Sequence, residues 1–146
     1  MKNISGFVAL AGLVMGSAFF SQAHAQTAWN TIASNAKVEI QESVQTCNYD
    51  YSPMDNGEVV ILRVRNKTNA SVNVSFRMDV YYNDQCVTCG NDEYVFKATL
   101  PANGVITGSC QAENPQHSIL MQLKSYTNRP DNLNYNRIEI SQLTTN

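Results

Sequence analysis

The chain has 146 residues, with 12 acidic against 10 basic side chains and a formal net charge of -2. No basic cluster interrupts that weakly acidic balance, so neither nucleic acid nor an anionic membrane surface is expected as a partner. The length suits one domain with an ordinary hydrophobic core.

Residues 1–25 hold one cation, Lys2, followed by an apolar run from Ile4 to Phe20 that is short and interrupted by glycine. The run ends in Ala23-His24-Ala25, with small residues at the two positions a signal peptidase reads. This is the pattern of a secretory signal peptide, cleaved before Gln26. Losing Lys2 takes the formal charge from -2 to -3. No later run is long enough to cross a bilayer as a helix. The mature chain is therefore expected in the periplasm, at the cell surface or outside the cell, without membrane insertion.

Residues 26–36 show no period and read as an irregular lead-in anchored by Trp29, ahead of a single domain over 37–146. In KVEIQESVQT, Val38, Ile40 and Val44 fall on one face, with Glu42 as the exception, and define a first strand. NYDYSPMDN is a turn-rich loop. EVVILRVRN puts Val60, Leu62 and Val64 on one face and Ile61, Arg63 and Arg65 on the other. SVNVSFRMDVYY alternates Val72, Val74, Phe76, Met78, Val80 and Tyr82 with polar residues, the period of a half-buried strand. Pairing these two runs across Asn66 to Ala70 sets Val64 against Val72, Leu62 against Val74 and Val60 against Phe76. The link joins neighbours in one sheet or arches between two sheets; periodicity fits both.

A loop carrying Cys86 and Cys89 follows. EYVFKATL is a fourth strand with Tyr94, Phe96, Ala98 and Leu100 inward, and Val105 to Cys110 a short fifth. SILMQLKSY, with Ile119, Met121 and Leu123 inward, and NRIEISQL, with Ile138 and Ile140 inward, complete about seven strands. Turn signals roughly every dozen residues then predict an all-β fold, an antiparallel immunoglobulin-like sandwich. Over Glu58 to Cys110 the succession of strand, N-K-T, strand, Y-Y, C-x-x-C, strand, L-P-x-x-G and G-x-C resembles short secreted bacterial immunoglobulin-like proteins of unassigned function. That resemblance implies a fold and no activity.

Four cysteines in an exported chain are most simply two disulfides. Of three possible pairings, Cys47–Cys110 with Cys86–Cys89 is preferred, because the remote pair ends two strands of the body and the other pair shares one loop. Alternating strand directions bring all four to one end of the sandwich. A redox dithiol or a metal site built on Cys47, Cys86, Cys89 and Cys110 uses the same residues. Against the first, Asp84, Asp92 and Glu93 raise a thiol pKa and no helix follows Gly90. Against the second, zinc ribbons use two C-x-x-C knuckles.

The loops at that end also carry Asp50, Asp55, Asp84, Asp92 and Glu113, oxygen ligands of the kind calcium takes. No D-x-D-x-D-G spacing accompanies them, and no cofactor or metal is expected. Tyr49 and Tyr51 are rigid amphipathic residues suited to a binding surface. The N-x-S/T triplets at Asn66, Asn69 and Asn73 read as turn chemistry. After signal cleavage His117 is the only histidine, which leaves hydrolytic triads without a base to spare. The expectation is a secreted non-catalytic binding or structural module, an extracellular-assembly component or accessory subunit that meets a protein partner or itself. The alternatives are a periplasmic redox or metal-binding protein and a calcium-assisted carbohydrate-binding domain using Tyr49, Tyr51, Asp50, Asp55, Asp84 and Asp92.

Overall fold

The structure, a computed structural model, describes residues 28–47, 57–110, 119–126 and 133–146. The signal peptide read over 1–25 and the loop residues Tyr49, Asp50, Tyr51, Asp55, Glu113 and His117 lie outside the described residues. The described strands are β1 (Asn30–Ser34), β2 (Val38–Cys47), β3 (Gly57–Asn66), β4 (Val72–Tyr82), β5 (Gln85–Cys86), β6 (Val95–Leu100), β7 (Val105–Thr107), β8 (Met121–Leu123), β9 (Ser125–Tyr126) and β10 (Leu133–Thr145).

They form two antiparallel sheets. The first runs β1-β2-β3-β7, with β8 also on β3; the second runs β5-β4-β10-β9, with β6 also on β4. This is the expected antiparallel sandwich, with ten described strands where about seven were expected, because the short β1, β5 and β9 are too brief to show a period of two. β3 and β4 lie in different sheets, so the link between them is an arch and the inward residues Val60, Leu62 and Val64 face Val72, Val74, Phe76 and Met78 across the core. Phe96 of β6 stands in register with Phe76, their ring centroids 5.1 Å apart. Among the described residues no helix is long and apolar enough to cross a membrane.

Asn66 ties the arch. It is fully buried, and its Nδ2 donates to the carbonyls of Ala70 (2.7 Å), Pro101 (2.8 Å) and Leu100 (3.3 Å). Its Oδ1 accepts from the Thr68 amide and hydroxyl, each at 2.9 Å, and its own amide donates to Gly104 O. One side chain thus satisfies backbone groups of two turns that no strand can reach. Asn66 is turn chemistry as expected, whereas Asn73, given the same reading, is a residue of β4 paired with Thr99.

Three local expectations need correction. Residues 30–34, read as part of an irregular lead-in, form β1, which pairs with Glu39–Glu42 of β2 through one bulge. Met121 and Leu123, expected inward, pair with Ile61 and Val59 on the outer face of the first sheet, while Leu120 is the residue buried in the core. The reason is in β3: Val59, Val60, Ile61 and Leu62 are four consecutive buried apolar residues, so both faces of that strand need cover. A second cluster of Cys47, Val59 and Ile61, with Trp29, Cys110, Met121 and Leu123 against it, supplies the cover outside. Trp29 is held there by the Arg63 guanidinium 4.2 Å from its ring, and Ser43 Oγ donates to Ala28 O at 2.9 Å.

Val44, expected inward with Val38 and Ile40, is 43% exposed. The inner face of β2 turns polar just before it, where the Tyr135 hydroxyl of the facing sheet donates to Glu42 Oε2 at 2.6 Å. Burial, then the hydrogen bond to the Glu42 carboxylate and its charge, push the Tyr135 phenol far above its usual 10.0. Stability from this group is complete below pH about 10 and is lost as pH rises beyond it, because the unfolded phenol ionises first. Urea midpoints measured from pH 7 to pH 11 should fall steeply at the alkaline end. The fall should lose about one proton's worth of slope in Tyr135→Phe; an unchanged slope would assign the effect to other tyrosines.

Candidate functional site

The described part of the candidate site is the outer face of the second sheet. The inner face of β4 is spent on Met78, Val80 and Tyr82, so strand parity sends Arg77, Asp79 and Tyr81 outward. In β10 the residues opposite them are Ser141, Glu139 and Arg137. Along each strand opposite charges stand two residues apart, while Asp79 and Glu139 face each other across the pair. Arg77 Nε lies 2.9 Å from Asp79 Oδ1, and Arg137 Nε 2.7 Å from Glu139 Oε1. The Arg137 guanidinium sits 3.8 Å from the centre of the Tyr81 ring, and the Tyr81 hydroxyl donates to Glu139 Oε2 at 3.2 Å.

The C-x-x-C loop folds back beside this face. Asn83 and Asp84, with φ of 48° and 62°, make the two-residue turn that pairs Tyr82 with Gln85 and Tyr81 with Cys86. Both residues in the left-handed region is the geometry of a type I′ hairpin, which Asn and Asp tolerate. The loop then runs along the edge of β4. Val87 N donates to Val80 O, and the buried Thr88 hydroxyl accepts from Val80 N at 2.8 Å and donates to Met78 O at 2.7 Å. Thr88 stands in for a missing strand residue, and β6 takes up the same edge from Arg77 onward.

The preferred pairing is present: Cys47 is bonded to Cys110 and Cys86 to Cys89, and there is no free cysteine among the described residues. The four sulfurs do not converge, however. Cys47 and Cys110 belong to the cluster outside the first sheet, whereas Cys86 and Cys89 flank Tyr81 and Asp79 outside the second. Alternating direction places all four in the same half of the strands, but it carries no information on which face of a sheet each side chain takes.

Of the six residues singled out for binding, Asp84 and Asp92 are described. Asp84 is exposed in the hairpin turn, 3.6 Å from Arg137. Asp92 opens a 3-10 turn, Asp92–Tyr94, capped by Asn91. Among the described residues neither joins a group of three ligating side chains. The one such group is Asp79, Cys86 and Cys89, whose ligand atoms lie within 4.8 Å of one another. Asp79 was not foreseen, although the parity of SVNVSFRMDVYY already set it on the face that a short N-D hairpin returns to.

Asp79 is 7% exposed. Burial opposes its ionisation, but the Ser141 hydroxyl and the Arg77 guanidinium outweigh burial and hold the carboxyl below its usual range. Among the described residues no atom stands at hydrogen-bond distance and angle to the buried Ser141 Oγ, and the close contact to the carboxylate is that of Arg77 Nε at 2.9 Å.

A second feature adjoins this face at the other end of β4. β6 keeps unbroken register with β4 over all six residues, and among the described residues no strand pairs with its other edge. On the outer face of the same sheet, across β6, β4 and the end of β10, Lys97, Thr99, Asn73, Ser75, Thr144 and Asn146 line a shallow depression of about 420 Å³. β10, in contrast, carries two register shifts and Gln142 at φ 54°, devices that spoil an edge for pairing.

No family model matches this chain, and no curated protein does. Among solved structures it is similar to the Salmonella enterica trimeric lipoprotein SadB at 17% identity and a TM-score of 0.31, over 83% of this chain and 57% of that one. The chain thus spans little more than half of that structure, and a likeness this distant does not define a shared fold.

Proposed function

We propose that this protein is a secreted, non-catalytic binding module that takes a partner's strand along β6, as a component or accessory subunit of an assembly outside the cytoplasm. The observation that carries the reading is the open, regular edge of Val95–Leu100 beside the depression. Strand addition draws affinity from main-chain hydrogen bonds, which this edge offers, and the depression lies on the same sheet face one strand further in. The two disulfides support an oxidising compartment.

The test begins with the partner recovered from native envelope or culture medium and identified by mass spectrometry. In the complex the amides of Val95–Leu100 should exchange about tenfold or more slowly. Lys97→Glu with Thr99→Arg, both on exposed side chains, should abolish recovery and leave thermal stability nearly unchanged. The rival surface is the loop carrying Tyr49 and Tyr51. Recovery lost in Tyr49→Ala with Tyr51→Ala, and kept in the β6 variant, would move the site to that loop.

A further inference from the structure

The buried Asp79 carboxylate faces a disulfide, which offers it no hydrogen-bond donor. Arg77 pairs with the carboxylate on one side, and the sulfurs on the other can share a ligand role with it only as thiols or thiolates. We propose that Asp79, Cys86 and Cys89 form a site for a thiophilic divalent cation of the zinc or cadmium kind, assembled when a dithiol donor opens the Cys86–Cys89 bond. This goes beyond the binding reading above and does not depend on it.

The chemistry balances. The disulfide accepts two electrons and two protons from the donor, whose own two thiols close into a disulfide. The cation then displaces the two thiol protons and binds two thiolates and one carboxylate oxygen, leaving a fourth position for water. With metal–sulfur bonds of about 2.3 Å and metal–oxygen bonds of about 2.0 to 2.2 Å, tetrahedral ligands stand roughly 3.5 to 3.8 Å apart. The three ligand atoms lie within 4.8 Å of one another, so the site forms when the reduced sulfurs part by about 2 Å and the carboxylate oxygen closes by about 1 Å.

Three features keep the site in place once the sulfurs part. Thr88 and Val87 hold the loop to Val80 and Met78 through hydrogen bonds that do not involve the disulfide. Gly90, at φ 75°, and the bond from Asn91 N to Thr88 O complete the turn. Arg77 fixes the carboxylate at 2.9 Å, a supporting contact of the kind that orients metal ligands. Access is from the Cys89 side, which is exposed, whereas Cys47 of the other disulfide is 1% exposed.

The test uses the folded protein, a phosphine reductant and Cd²⁺ as the probe. Mild reduction should release two thiols, and Cd²⁺ should then produce the ultraviolet cadmium–thiolate absorption, saturating at one ion per chain with two protons released. Zn²⁺ should compete. Cys86→Ser should remove the absorption, and Asp79→Asn should weaken Cd²⁺ by about tenfold or more at an unchanged thiol count. Equal affinity in Asp79→Asn, or two free thiols that give no cadmium absorption, would overturn the site. Release of four thiols with loss of the β-sheet circular dichroism would overturn it as well, since no folded state would then carry it.

Discussion

Replacing Cys47 and Cys110 together by alanine is expected to lower the free energy of unfolding by about 4 kcal/mol, whereas the same change at Cys86 and Cys89 should cost under about 2 kcal/mol. The difference follows from loop length. The first bond closes a sequence separation of 63 and the second a separation of 3, and the entropy removed from the unfolded chain grows with the logarithm of that span. Cys47 and Cys110 also pack against Val59 and Ile61, so their loss opens the cover outside β3. Urea titrations of the two double variants measure both numbers. Equal losses would show that local packing around each bond, and not chain entropy, sets its contribution.

Asn66→Ala is the single substitution expected to hurt most, by about 3 to 5 kcal/mol. It leaves the carbonyls of Ala70, Leu100 and Pro101 and the amide of Thr68 without the partner that Asn66 supplies. Asn66→Asp should rescue little, because a carboxylate cannot donate to three carbonyls and would bury a charge among them. Asn73→Ala, in another of the N-x-S/T triplets but exposed, should stay within about 0.5 kcal/mol of the parent. A small loss in Asn66→Ala would mean that water enters the arch and takes over those bonds.

The expected result for Asn66 also marks where local pattern stops. N-K-T reads as a turn from composition. That its first residue is buried, and serves the turn at Pro101 as well as its own, depends on a contact between segments 35 residues apart in the chain. The C-x-x-C loop is similar. The sequence names its cysteines and places a turn before them, but Thr88 becomes a substitute strand residue only because β4 lies beside it with two backbone groups unpaired.

What the sequence determined by itself is the positions of the main strands, the inward faces of β3 and β4 and the class of fold, and it favoured the cysteine pairing that is present. These rest on short-range physics: a period of two along a strand, turn formers between strands, and the reach of a loop. Tertiary structure decided the rest. It made the link after β3 an arch, turned Met121 and Leu123 outward to cover Val59 and Ile61, drew residues 30–34 into the first sheet, and separated the two disulfides onto opposite outer faces. It also set Asp79 against Cys86 and Cys89. The reason is common to all of these. Alternation says that a strand has two faces, but which sheet it joins, and what covers its second face, is settled by the total apolar area that distant segments can bury together.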